Sequence, residues 1–192
     1  MFLLSIGIVY LMISFGTVYG LGKSSFHDCG PPDRVFRFGN VTFPDTMFIS
    51  SVPNTVLYGK LDILEDGDPN DYMGTTILRN GKYFPCLPGG VGSCERPVSF
   101  WFKKFEKTFC HLFMQAGIQC SDRVPRGSFE LRNYGLLLPF DIFPAPLRSS
   151  KSFLSKFVNA RYTIRTVVRD RNNYQRVKGC YVAEFDVRVA AN

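Results

Sequence analysis

Six cysteines constrain this chain more than any other feature. Cys29 and Cys180 lie near the two ends of the sequence that follows an apolar N-terminus. Cys86 and Cys94 are separated by seven residues, and Cys110 and Cys120 by nine. An even count behind a secretory signal reads as a disulfide framework made in an oxidising compartment. One long-range bridge and two local ones would staple a single domain. Most cytosolic enzyme classes are excluded at once.

Residues 1–22 carry no charged side chain, and an apolar run extends from Phe2 to Ile13. Gly20 and Gly22 are small enough for a cleavage site, and Val18 suits the position two before Gly20. The expectation is a signal peptide over 1–22 and one domain over 23–192. An uncleaved anchor is the competing reading, because the stretch is about long enough to span a bilayer and lacks a basic start. Gly16 and Gly20 break its tail, however. The remaining stretch of about 170 residues suits one domain, whose folding buries roughly 70% of the unfolded chain's surface. Disulfides would reinforce such a core rather than replace it.

The net charge is +7. Excess positive charge on a secreted domain suits anionic membranes, acidic glycans or nucleic acid. No motif for reading nucleic acid is present, and the compartment is wrong for it. Asn40-Val41-Thr42 is a glycosylation sequon, with Asn40 the acceptor.

Short strand-like runs broken by Gly, Pro and Asn-Gly signals dominate the chain. Asn80-Gly81 predicts a hairpin between Thr75–Leu78 and Tyr83-Phe84. In Arg161–Arg169 the alternation puts Tyr162, Ile164 and Val168 on one face and Arg161, Arg165 and Arg169 on the other. Tyr181, Ala183, Phe185, Val187 and Val189 form the inner face of a last strand, with Glu184, Asp186 and Arg188 outside. Arginines and acids can pair across this hairpin; the rival reading of the arginine stripe is an anion-docking patch. Phe102, Phe105, Phe109, Leu112 and Phe113 fall at helical spacing among Lys103, Lys104, Glu106 and Lys107, which predicts one short amphipathic helix closed by Gly117.

Catalytic chemistry finds little support. His27 and His111 each lie near a cysteine, but a triad needs an activating histidine beside a nucleophile and an orienting acid. A zinc site from His27, Cys29, Cys110 and His111 would need free thiolates. Asp66-Gly67-Asp68-Pro69-Asn70 starts like a calcium loop. Asp71 then stands where the sharp-turn Gly belongs and Ile77 where the bidentate Glu belongs, so a solvated loop is expected. Pro88–Gly92 lacks the Lys-Ser/Thr of a phosphate loop. No metal and no cofactor is expected. The 19 phenylalanines leave two readings open, ordinary packing between sheets and an apolar cavity or exposed patch.

Phe84-Pro85-Cys86 followed by Gly92-Ser93-Cys94 resembles the signature of the ganglioside activator proteins, within the ML lipid-recognition superfamily. Phe26-His27-Asp28-Cys29-Gly30 is similar to the superfamily's opening. Ser152-Phe153-Leu154, Asn159–Ile164 and Lys178-Gly179-Cys180 resemble three later motifs in order. The resemblance implies an all-β fold. That fold is an immunoglobulin-like two-sheet antiparallel sandwich opened into a lipid-binding β-cup, here with one short helix. It implies the pairings Cys29–Cys180, Cys86–Cys94 and Cys110–Cys120. The family carries an exposed Trp before the first signature, where this chain has Asn80-Gly81-Lys82. Its single Trp, Trp101, comes later, so membrane docking is expected from Trp101, Lys103, Lys104, Lys107 and Met114. Each lysine near an anionic surface contributes about 1 kcal/mol.

The function so implied is non-enzymatic. A secreted or lysosomal protein would extract a glycolipid, phospholipid or sterol from an anionic membrane and present it to a glycosidase or a receptor. The expected lipid-binding residues are Trp101, Phe102, Phe105, Phe109, Phe113, Phe153, Leu154, Tyr162, Ile164 and Phe185. The alternative is an extracellular interaction protein on the same fold, a receptor co-factor or chemosensory binding protein.

Overall fold

The structure, a computed structural model, describes residues 22–50, 55–87, 90, 92–136 and 151–189. The expected signal peptide lies outside them, apart from Gly22. In chain order the strands are β1 (Ser25–Asp28), β2 (Phe36–Thr42), β3 (Thr46–Ile49), β4 (Thr55–Ile63), β5 (Tyr72–Arg79), β6 (Lys82–Tyr83), β7 (Glu95–Pro97), β8 (Gly127–Leu136), β9 (Ala160–Arg169) and β10 (Val177–Val189). The helices are α1 (Val98–Lys104), α2 (Glu106–Gln115) and α3 (Lys151–Val158).

Two sheets form, and the mainly antiparallel sandwich expected from the sequence is what the chain adopts. The larger sheet runs β1-β10-β9-β5-β6, and the smaller runs β2-β4-β8. β10 is long enough to take two partners along one edge. Residues Tyr181–Glu184 pair antiparallel with β1, and Asp186–Val189 pair parallel with β3. The outer edge of β5 is likewise shared, between β7 at Tyr72–Gly74 and β6 at Leu78-Arg79. Asn80 and Gly81 both have positive φ (49° and 75°). That is the requirement of a two-residue turn whose twist matches its strands, so the hairpin stands where the sequence placed it.

Alternation decides the core. In the β9–β10 ladder Phe185 faces Tyr162, and Ala183 faces Ile164. Ala183, Phe185 and Val187 are buried with Met47 and Ile49 of β3 and Leu154 and Val158 of α3. The smaller sheet closes on this cluster through aromatic rings. Phe38 lies 5.5 Å from Phe26 and 5.3 Å from Tyr181, and Phe43 lies 5.6 Å edge-on from Phe185. On the opposite face Arg161 reaches Glu184 (3.5 Å) and Asp186 (3.7 Å). Of the stripe, Arg161 is therefore paired across the hairpin, while Arg169 lies 5.0 Å from the Tyr174 ring centre.

Two helical features differ from the sequence reading. The expected single helix is two, broken at Phe105, whose φ of −111° and ψ of 29° leave the helical region. Gly117, at φ 71°, does follow the second. α3 has no counterpart in the sequence reading. Its end is fixed from outside, since the Tyr162 hydroxyl donates to Val158 O (3.1 Å) and Arg79 Nη2 reaches Lys156 O (3.5 Å).

All six cysteines are paired, as Cys29–Cys180, Cys86–Cys94 and Cys110–Cys120, with Cα–Cα separations of 5.0, 4.9 and 4.9 Å. The resemblance implied the same three pairs. Inside the Cys86–Cys94 ring, Ser93 does the local stitching. Its hydroxyl accepts from Ile77 N (2.9 Å) and lies 2.6 Å from Phe84 O, to which it donates. Gly92 has φ 104°, and a Cβ there would run into the Pro85 carbonyl oxygen. Gly92 and Ser93 are thus accounted for by local backbone needs.

Candidate functional site

The helical segment after β7 gathers six aromatic rings. Phe102 stacks on Phe109 (5.9 Å) and Phe113 (6.1 Å), and Phe105 stacks on Trp101 (6.1 Å). Phe100 meets Trp101 edge-on at 5.6 Å. Positions 102, 105, 109 and 113 recur three and four apart, so the break at Phe105 leaves them on one side of the helix pair. All four rings are half-buried.

Trp101 corrects the docking expectation. It is only 4% exposed, and its Nε1 donates to the Met73 carbonyl oxygen of β5 (2.8 Å). A ring held between sheet and helix, with its one donor satisfied, cannot reach a membrane surface. It anchors α1 to β5 instead. Lys103 and Lys107 are exposed, and Met114 is 64% exposed. Lys104 lies half-buried, 5.9 Å over the Phe105 ring, and burial pushes its pKa down. Lys103, Lys107 and Met114 therefore remain as the surface-facing members of the expected docking set. Trp101→Ala should cost about 3–5 kcal/mol in urea unfolding, as for a buried aromatic. Met114→Ala should change stability by less than about 0.5 kcal/mol.

The expected lining falls into two groups rather than one cup. Phe102, Phe105, Phe109 and Phe113 form the helical cluster. Leu154, Tyr162, Ile164 and Phe185 belong to the sandwich core, where Leu154 is 1% exposed. The Phe153 side chain lies outside the described residues. Two shallow concavities lie elsewhere. One, of about 430 Å³, crosses β2, β4 and β8; the other, of about 510 Å³, borders Cys29 and Arg176.

The acidic run is not simply a solvated loop. Asp71, 1% exposed, accepts from Lys178 Nζ at 2.8 Å and from Arg171 N at 3.1 Å. Lys178, itself buried, also faces Asp170 (3.6 Å) and Glu65 (3.7 Å). Arg176 bridges the same two acids, at 3.2 Å to Asp170 and 3.0 Å to Glu65, and Arg171 holds Asp68 at 3.2 Å. Burial pushes the Lys178 ammonium down, but Asp71, Asp170 and Glu65 outweigh it, and its pKa stands above the ordinary lysine value. Sequence reasoning missed this network. Its only sign was a charged residue, Lys178, beside the Gly179-Cys180 of a core strand.

A second, half-buried anchor sits beside the long-range disulfide. Asp28 accepts from Arg34 Nε (2.8 Å), Phe38 N (2.9 Å) and Gly30 N (3.0 Å). Burial works against the charge, yet these bonds hold the carboxyl below its usual range. Since Cys29, Cys86, Cys94, Cys110, Cys120 and Cys180 are all oxidised, no thiolate is available to join His27 or His111 at a metal. Among the described residues no cluster of three or more His, Cys, Asp or Glu could hold one. Among the same residues no helix is long and apolar enough to cross a membrane. Three disulfides fit assembly in an oxidising compartment.

Fold and site together define a disulfide-stapled all-β sandwich with a half-buried aromatic face on a pair of helices. No protein-family model matches the chain, and no curated protein matches it. The likeness to the ganglioside activators rests on the motif residues alone.

Proposed function

We propose that this protein is a non-enzymatic lipid carrier of the secretory route, of the ML type, acting outside the cell or in the lysosome. The observation that carries the reading is the stack of Phe102, Phe105, Phe109 and Phe113. It lies apart from the residues that build the sandwich core, only half-buried, with Lys103 and Lys107 exposed on the same helices. Apolar rings next to exposed ammonium groups match the boundary between acyl chains and anionic headgroups. Each acyl methylene left in water costs roughly 0.8 kcal/mol, so a carrier has to shield the chain that it lifts from the bilayer. A glycolipid, phospholipid or sterol is the cargo class, and a glycosidase or receptor the acceptor to which it is presented.

The test is lipid uptake. Delipidated protein incubated with mixed-lipid vesicles and re-isolated should carry lipid detectable by mass spectrometry. It should also move labelled lipid between liposomes, faster when they are anionic and less so as salt rises. Reloaded protein that carries no lipid overturns the reading.

The interaction-protein alternative has one observation of its own. Leu154 and Val158 of α3 occupy the space against Phe185, at 1% and 3% exposure. A sandwich filled in this way would act through its surface, and absence of lipid transfer would favour it.

A further inference from the structure

The three strands of the smaller sheet are irregular at the same level. β2 is bulged between Gly39 and Thr42, β4 between Leu57 and Gly59, and Asn133 in β8 has φ 59°. The coincidence opens the groove of about 430 Å³ lined by Asn40, Tyr58, Lys60, Glu130 and Arg132. Gly59 is required there, because a Cβ would come within 2.8 Å of Val41 Cα. Tyr58 offers a ring 50% exposed, and Lys60, Glu130 and Arg132 surround it with exposed charge. Asn40, exposed at φ 51°, is the sequon asparagine, and Thr42, its hydroxyl residue, pairs directly with Tyr58.

We propose that Asn40 carries an N-linked glycan whose first N-acetylglucosamine seats in this groove against Tyr58. The inference rests on passage through the secretory route, though not on lipid binding. In the modification the Asn40 amide nitrogen forms a bond to C1 of the sugar and gives up a proton. The C1–O bond to a polyprenyl diphosphate carrier breaks, and the diphosphate leaves with the electron pair. The sugar's C–H face is apolar and packs on an aromatic ring, while its hydroxyl and acetamido groups need the polar partners that Lys60, Glu130 and Arg132 supply. The bulge matters because it places the acceptor beside the groove, and asparagine is among the few non-glycine residues that tolerate its backbone. The seated sugar covers this face of the smaller sheet.

The experiment compares full-length protein secreted from animal cells before and after enzymatic deglycosylation. The enzyme is the amidase that removes the whole glycan and leaves Asp at position 40; it is preferable to other substitutions there, because Asp also tolerates positive φ. Intact mass should show a glycan at Asn40 that Thr42→Ala removes. Amide exchange at 58–60 and 130–132 should be about fivefold slower with the glycan than without, equivalent to ~1 kcal/mol. Tyr58→Ala should abolish that difference while keeping the glycan. An unmodified Asn40, or equal exchange rates with and without the sugar, overturns the proposal. Lipid uptake, measured on the same preparations, reports on the carrier reading independently.

Discussion

Lys178→Met should lower the unfolding free energy by about 3–5 kcal/mol, the cost of stranding one member of a buried ion pair. Asp71 would keep only the Arg171 amide as a partner at 1% exposure. In a domain of this size the loss appears as a fall in Tm of about 10 °C. Asp71→Leu combined with Lys178→Met should recover most of it, since buried pairs replaced by apolar residues of similar volume are often neutral. A double variant as unstable as the single would mean that the pair organises the fold rather than merely neutralising itself. The unsubstituted network should hold its contribution across the neutral range. Lys178 has a raised folded pKa, so its contribution is complete below the unfolded value of about 10.4 and fades only as pH rises through the folded value. Asp170 is held low, first by the Asn172 amide, against which burial acts, and then by the Asn173 amide and the charges of Lys178 and Arg176. Its contribution is present above about 3.9 and is lost as pH falls through the folded value. Unfolding curves of the unsubstituted protein should therefore show no loss from these two groups between about pH 5 and about pH 9.

Removing the Cys29–Cys180 bridge is the second large effect expected. The residues are 151 apart in sequence, and closing so long a loop lowers the unfolded chain's entropy by about 5 kcal/mol in the chain-entropy model. Strain and residual structure reduce what is measured, so Cys29→Ser with Cys180→Ser should cost about 2–5 kcal/mol. The local signature is specific. β1 is only four residues long, at the sheet edge, and Cys29 N donates to Cys180 O at its end. Amide exchange of Phe26–Asp28 should rise first. The Cys110–Cys120 bridge closes a much shorter loop, with a separation of 10, and its loss should cost less, at most about 3 kcal/mol. Its effect should concentrate on the C-terminal half of α2, which Gln115 otherwise ties to β8. That side chain accepts from Gly135 N at 3.1 Å and donates to Gly135 O at 3.2 Å. Equal losses for the two bridges would argue against loop length as the cause.

Much of the fold was legible because its signals are local. The β9–β10 hairpin follows from two-residue alternation, and the Asn80-Gly81 turn from one of the few dipeptide types that take two positive φ values at little cost. The aromatic spacing of Phe102, Phe105, Phe109 and Phe113 placed helix where helix is found. The break at Phe105 was not legible, because the spacing across it stays helical. α3 was missed for a different reason. Ser152–Leu154 entered through a motif, and the helix rests on the core through Leu154 and Val158, contacts that no local pattern announces.

By itself the sequence determined the stapled, mainly β architecture, the hairpin, the core face of β9 and β10, and a helical run of phenylalanines. Apart from the disulfides, each depends on neighbours two to four residues away. Only the tertiary structure decided that Trp101 is an anchor to β5 and not a surface probe, since its partner Met73 lies 28 residues off. Only it turned an acidic run into a buried network, because Asp71 meets Lys178 across 107 residues. Only it set Asn40 beside Tyr58 and Arg132, on three strands whose bulges coincide. Burial and charge pairing depend on which segments the topology brings together, and that information is not carried by spacing along the chain.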